Sequence, residues 1–353
     1  MISIQNRITA LVKLGDFLGQ FSIEKIEKRD NIEHNELFFE GFLHQIKIAQ
    51  ESNSWFTKNN ILFALNSISK SLTYNSLDLF VKSVSLNIIS SKKVAVIMAG
   101  NIPLVGFHDF LSVLISGHSV LVKQSSNDKH LLPFLAKYLE HIEENFKGKI
   151  TFTEEKLTDF DAVIATGSDN TARYFEFYFK NKPNIIRKSR NSVAIITGKE
   201  TEQDFIKLSD DVFQYFGLGC RSVSKLYVPK DYNFDMFFAG MYSKKDMIHN
   251  AKYANNYDYN KAVYLMSLYD LLENGFLMIK EDKSYSSPIA TIFYEYYENE
   301  IDLKIKLHQD KEKIQCIVAK DFIENEVGFG QTQSPKLTDY ADGVNTLEFL
   351  TKI

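Results

Sequence analysis

A cysteine set between glycines and an arginine is the first place where this chain offers chemistry. Cys220 stands in the run Phe216-Gly217-Leu218-Gly219-Cys220-Arg221. The thiolate is the nucleophilic form of cysteine; its reference pKa is about 8.5, and nearby cations lower it. Arg221 is the adjacent cation, and glycines allow a backbone to approach a substrate closely. Two readings of Cys220 stay open on these residues alone: a catalytic thiolate, or a small residue packed into a loop. Cys316, inside the apolar run Ile314-Gln315-Cys316-Ile317-Val318, reads as a core residue.

Other residue types fit a site built around a reacting carbonyl. Asn101 lies in Ala99-Gly100-Asn101-Ile102-Pro103. Its amide can donate to an oxyanion or cap a helix with Pro103 in the first turn. Lys123, Ser125 and Ser126 can hold a ribose and its phosphate, or simply form a surface loop. Gly167 and Ser168 lead from a strand into a helix, which offers backbone N–H groups to an anion or marks an ordinary N-cap. The fingerprint G-x-G-x-x-G is absent here, so a standard Rossmann site is not supported. Arg187, Lys188 and Arg190 form a basic cluster that can meet phosphate or face solvent. His108, just past Asn101, is either a proton donor or a buried helix histidine.

These residues need elements to position them. Residues 93–99 (KVAVIMA), 119–123 (SVLVK), 149–153 and 161–166 (DAVIAT) are short apolar runs that suit strands buried on both faces. Helical patterns at 105–115, 129–146 and 170–179 separate them, the first closed by Gly117. Such alternation predicts a parallel, doubly wound sheet with ligands at the strand C-termini. Asn101, Ser125-Ser126 and Gly167-Ser168 each follow a strand. A second series runs from a strand at 192–197 through a helix at 202–216 and the Cys220 loop to a strand at 223–228. The tail holds a polar loop at 328–336 and a strand-like run at 346–350. Helical spacing recurs at 4–19 and 38–50, so the first 90 residues read as mostly helical.

The expected fold is therefore α/β, with a cofactor-binding domain and an α/β catalytic domain. The expected divisions are 1–188, 189–322 carrying Cys220, and a segment 323–353 that returns to the first domain or to a subunit interface. Length supports two domains: the chain has 353 residues, beyond one ordinary core. A net charge of −4 argues against a nucleic-acid partner. Two cysteines make neither a disulfide framework nor a metal cluster, which points to the cytoplasm and no metal. The longest apolar stretch, 102–122, contains His108, Asp109 and His118, so no membrane span is expected.

Together these pieces resemble the acyl-CoA reductase (LuxC-like) family of the aldehyde dehydrogenase superfamily, which includes the fatty-acid reductase of bacterial bioluminescence. The matching stretches are 99–128, 165–175, 187–196, 216–229 and 330–350, in the same order. The resemblance covers roughly residues 90–353; the first 90 fit by position only. It implies an aldehyde-dehydrogenase-like fold, with Cys220 as nucleophile and Asn101, with the cysteine's N–H, as oxyanion donor. It also implies that Lys123 holds the adenosine ribose, with Ser125 and Ser126 beside it, and that Gly167 and Ser168 lie near the pyrophosphate.

Two departures matter. Hydrolytic members carry a general-base glutamate where this chain has Arg187-Lys188-Ser189-Arg190, so the acyl-enzyme is expected to be reduced rather than hydrolysed. The glutamate that holds the nicotinamide ribose has its nearest match at 284–288, where no acidic residue stands. NADPH is the expected cofactor, with NADH the alternative, because no glutamate soon after Lys123 repels a 2′-phosphate; Asp128 is the nearby carboxylate that opposes this inference. The expected partner is an acyl-CoA or acyl-carrier-protein thioester, and homo-oligomerisation is compatible with the tail. Competing readings are the reverse oxidation of an aldehyde to acyl-CoA, a cofactor-free cysteine acyltransferase or thioesterase, and a non-catalytic scaffold.

Overall fold

Alternating side chains explain how the first sheet comes to be covered on both faces. In the computed structural model, which describes residues 2–85 and 90–353, Val94 and Val96 point into one apolar cluster. Ala95 and Ile97 point into another. This is the two-residue period of a strand, and a run apolar on both faces belongs in the middle of a parallel sheet.

The strands of this sheet are β1 (Lys93–Ile97), β2 (Ser119–Lys123), β3 (Ile150–Phe152), β4 (Ala162–Thr166) and β5 (Asn184–Arg187). They are all parallel, in the order β3-β2-β1-β4-β5. Four helices precede β1: α1 (Ile4–Leu18), α2 (Asn35–Ser52), α3 (Lys58–Ser71) and α4 (Tyr74–Lys82). Ser3, Thr57 and Thr73 cap α1, α3 and α4, each accepting a backbone N–H three residues on; such caps contribute about 1 kcal/mol each. Helices α5 (Phe107–Ser116) and α6 (Leu131–Ile142) follow β1 and β2. Phe17 of α1 stacks on Tyr138 of α6 with ring centroids 4.3 Å apart, so the N-terminal helices share the larger cluster. On the opposite face, Phe175 and Phe179 of α7 (Asp169–Phe179) pack against the smaller one.

The chain divides into two compact units, Met1–Lys188 with Lys336–Ile353 and Ser189–Pro335. The second contains β6 (Asn191–Ile195), β7 (Val223–Pro229), β8 (Leu271–Glu273), β9 (Met278–Glu281), β10 (Thr291–Tyr297) and β11 (Ile314–Val318). Their order is β11-β6-β7-β10-β9-β8. All pairings are parallel except that of β8 with β9. Helices α8 (Glu202–Phe213), α9 (Asp235–Met241), α10 (Ala251–Met266) and α11 (Glu300–Gln309) belong to this unit. Leu303 and Leu307 of α11 cover Val193, Ile195 and Tyr227 of the sheet.

Three local expectations are corrected. Residues 346–350 are not a strand: they lie in helix α12 (Thr346–Thr351), where Asn345 accepts from Glu348 N–H and Leu347 and Leu350 are buried three residues apart. The helix after β1 begins at Phe107 rather than 105, because Leu104 adopts a positive φ of 56°; Pro103 therefore lies outside its first turn. The helix after β6 stops at Phe213, since Tyr215 and Phe216 are left-handed.

Candidate active site

All strands of the first sheet are parallel, so their C-termini share one edge. β1 leads outward through β2 to β3, while β4 and β5 lie on its other side. The connection reverses between β1 and β4, and such a switch point opens a crevice above the strand ends. The loops after β1, β2 and β4 border this edge. They carry Asn101, then Ser125, Ser126 and Asp128, then Gly167 and Ser168.

Asn101 is exposed, on a bend rather than at a helix cap. Gly100 beside it lies against the next loop: a Cβ there would fall 2.5 Å from Ser125 Oγ, so only glycine fits. Leu104 N–H donates to Asp128 Oδ2 at 2.7 Å. Asp128 is buried, and burial raises its carboxyl to about 6. Its Oδ1 has no hydrogen-bond partner among the described residues. Lys123, half-buried at the end of β2, donates from Nζ to Glu155 carbonyl at 2.8 Å. Ser168 is the N-cap of α7, its Oγ accepting from Thr171 N–H at 3.4 Å.

In the second unit, Cys220 is exposed on the turn just before β7. It thus lies at the N-terminal edge of its parallel sheet, the opposite of the strand-end rule that locates Asn101. Its carbonyl accepts from Ser192 Oγ, at the start of β6, at 2.9 Å. Upstream, Tyr215, Phe216 and Gly217 have φ of 56°, 59° and 75°. Two consecutive left-handed side-chain residues store strain of order 1–2 kcal/mol apiece. Both rings are buried, which holds them there.

Downstream, Arg221 Nε donates to Thr332 carbonyl. Gln333 Nε2 donates to Ser222 Oγ at 3.4 Å. The polar tail loop is itself held by buried Asp211, which accepts from Gly330 N–H at 2.6 Å and from Thr332 N–H at 2.9 Å. The tail loop thus braces the thiol's loop from one side and Ser192 from the other.

The basic cluster at 187–190 does not form a common phosphate surface. Arg187 is buried and paired with Asp109 at 2.6 Å. Lys188 pairs with Glu176 at 2.7 Å and Arg190 with Glu312 at 3.2 Å. His108 donates from Nε2 to Leu337 carbonyl at 2.8 Å and packs beside Phe80 and Tyr340. Burial holds it below the usual histidine range.

Sequence reasoning missed Ser192, Asp211 and Thr332 as supports of the Cys220 loop. Their partners lie 28 to 121 positions away, and no local spacing signals such contacts. Asp128 was visible only as a charge near Lys123; its turn inward is set by Leu104.

A family model described as acyl-CoA reductase (LuxC) matches residues 16–277. Among solved structures, the aldehyde dehydrogenase KauB of Pseudomonas aeruginosa is similar with a TM-score of 0.65 at 12% identity, covering 90% of this chain and 72% of its own. Aldehyde dehydrogenase 21 of Physcomitrella patens, solved with the product succinate, gives 0.63 at 12%, covering 92% and 75%. The indole-3-acetaldehyde dehydrogenase AldA of P. syringae, solved with NAD+ and IAA, gives 0.63 at 12%, covering 92% and 73%. No curated protein matches the chain. The fold is aldehyde-dehydrogenase-like. Among the described residues, no helix is long and apolar enough to cross a membrane.

Proposed function

Because the chain belongs to the acyl-CoA reductase (LuxC) family, whose members are oxidoreductases of acyl and aldehyde groups, we propose that it reduces an acyl thioester to an aldehyde through an acyl-enzyme on Cys220. The observation that carries this reading is an exposed thiol on a turn fixed at its own carbonyl by Ser192 and at the next residue by Thr332.

The strand-end edge of the first unit has the chemistry of a dinucleotide site. It offers the Lys123 ammonium, the Ser125 and Ser126 hydroxyls, and the N-terminus of α7 behind Gly167 and Ser168. Lysine and hydroxyls suit a ribose phosphate, and a helix N-terminus suits a pyrophosphate. Asp128, the carboxylate that would oppose a 2′-phosphate, is turned inward to Leu104 N–H. This supports NADPH over NADH.

Cys220 Sγ, as thiolate, attacks the thioester carbon, and the C=O electron pair moves to oxygen. The Cys220 N–H is the donor nearest this oxyanion along the chain, and the family resemblance implies the Asn101 amide as its other donor. Its collapse breaks the bond to the CoA or carrier-protein sulfur, which leaves as a thiolate and takes a proton from solvent. NADPH, when bound, supplies the hydride that converts the acyl group to the aldehyde level. A second collapse returns the thiolate to Cys220 and releases the aldehyde. Residues 187–190 carry no carboxylate to activate water, which favours reduction over hydrolysis.

The test is NADPH consumption across a panel of acyl-CoA and acyl-carrier thioesters. Cys220→Ala should abolish turnover and leave NADPH affinity intact. Turnover by that variant, or no affinity for NADPH or NADH in the native protein, would overturn the reading.

A further inference from the structure

We propose that Asp128 is a positioning residue for this reaction, bracing the loop that presents the Asn101 amide. The inference rests on the reading of Asn101 as the oxyanion donor.

Asn101 sits on the connection between β1 and α5, and that connection turns at Leu104 with a φ of 56°. A leucine gains nothing locally from this conformation, which costs about 1–2 kcal/mol. The turn must be held from outside, and the hold is visible: Leu104 N–H donates to Asp128 Oδ2 at 2.7 Å.

Asp128 is itself anchored. Its N–H donates to Ser125 carbonyl at 3.1 Å, and its own carbonyl accepts from Gln124 Nε2 at 2.9 Å. Asn53 Nδ2 reaches the neighbouring Asn127 carbonyl at 3.3 Å. Gly100, next to Asn101, touches Ser125 in the same loop. The loop after β2 is thus a fixed frame, and the loop after β1 is pressed against it at Gly100 and tied to it at Leu104. Asn101 lies between those two attachments.

The arrangement is kept at a cost. Asp128 Oδ1 is buried and meets no partner among the described residues, and buried unsatisfied polar atoms are destabilising. Asp128 is buried and its bonded oxygen faces the backbone of the Asn101 connection, so its effect on the reaction runs through Asn101.

The experiment compares Asp128→Ala, Asp128→Asn, Asn101→Ala and the Asn101→Ala/Asp128→Ala double variant of the full chain. Each is assayed for kcat and KM with an acyl-CoA, for NADPH affinity and for thermal midpoint. Asp128→Ala should lower kcat about 10-fold or more, with thioester KM and NADPH affinity within about 2-fold, as expected when an interaction made in the transition state is lost. Asp128→Asn, which still offers an acceptor to Leu104 N–H, should stay within about 3-fold of the native rate. In the Asn101→Ala background, Asp128→Ala should cost no more than about 2-fold further. If Asp128→Ala does not fold, Asp128→Ser, too short to accept from Leu104 N–H, takes its place.

Multiplying losses, a loss confined to NADPH affinity, or an Asp128→Asn variant as slow as the alanine variant would each overturn the inference alone. Asn101→Ala at the native rate would remove the oxyanion reading and this inference with it.

Discussion

Ser192 Oγ donates to the carbonyl oxygen of Cys220 at 2.9 Å, and Ser192 is fully buried at the start of β6. The bond ties the exposed thiol's turn to β6, an interior strand paired on both sides, with β11 and β7. A reacting sulfur must be held to within a fraction of an ångström, and a misplacement of about 1 Å can cost 100-fold in rate. Ser192→Ala should therefore lower kcat several-fold while the thermal midpoint falls by only the few degrees expected for about 1 kcal/mol. Stopped-flow measurement of carrier-thiol release in a single turnover isolates the acyl-transfer step. An unchanged rate constant there would show that the bond serves stability alone.

A second prediction concerns the approach to the thiol. Gly217 closes a left-handed run with φ of 75°, and a Cβ there would lie 3.3 Å from Val212 carbonyl. Gly217→Ala should cost about 1 kcal/mol or more from backbone strain. Because Tyr215 and Phe216 already hold the same strained conformation, the variant should relax the turn and slow acyl transfer as well. Denaturant midpoint and single-turnover rate measured together check both parts, and a more stable variant would contradict the strain argument.

How much of this was legible in the sequence depends on the range of the interaction. β1, β2 and β4 announce themselves because apolar residues stand on both faces of each strand, and a continuous apolar run has few other uses. The loops bearing Asn101, Ser125 and Gly167-Ser168 follow from where those strands end. Helix α12 was misread because six residues are too few to separate a period of two from a spacing of three. The cap at Asn345 and the buried pair Leu347 and Leu350 decide it. Leu104 gives no sign of its left-handed turn, since leucine does not favour one; the cause lies 24 positions away in Asp128. Cys220 was found as a residue type between glycines, and the apolar run at 223–228 placed its loop just before the strand that is β7; what stayed hidden was Ser192 and Thr332 holding that loop from far along the chain.

A long-range ion pair yields a third prediction. Arg187, at the end of β5, meets Asp109 of α5 at 2.6 Å and Thr346 Oγ1 of α12 at 3.0 Å, and donates to Ala341 carbonyl at 3.3 Å. Both charged side chains are nearly inaccessible. Removing one partner leaves the other charge buried, which costs about 3–5 kcal/mol. Asp109→Ala and Arg187→Ala should each lower stability by about that much and loosen 336–353 first. Replacing both with apolar residues of similar volume should recover much of the loss. Equilibrium denaturation gives the energies, and amide exchange in α12 shows whether the tail is released first.

Asp128 gives a prediction in which pH is the variable. Its carboxyl is buried, and burial raises it from the usual 3.8 to about 6 in the folded chain. A group whose folded pKa lies above its unfolded value favours folding in its protonated form. Its contribution is complete below about pH 4 and is lost as pH rises through about 6. Above that range the folded state carries a buried carboxylate, and the rise from 3.8 to about 6 corresponds to roughly 3 kcal/mol. Asp128→Asn keeps the acceptor for Leu104 N–H and cannot ionise. The variant should match the native protein near pH 4 and exceed it in stability above pH 6, by an amount of the order of 2–3 kcal/mol. Denaturant titrations at half-unit intervals from pH 4.5 to 8, with native and variant in parallel, measure the difference directly. A difference that does not change with pH would mean that the carboxyl titrates in the ordinary range and that its burial is offset by a partner.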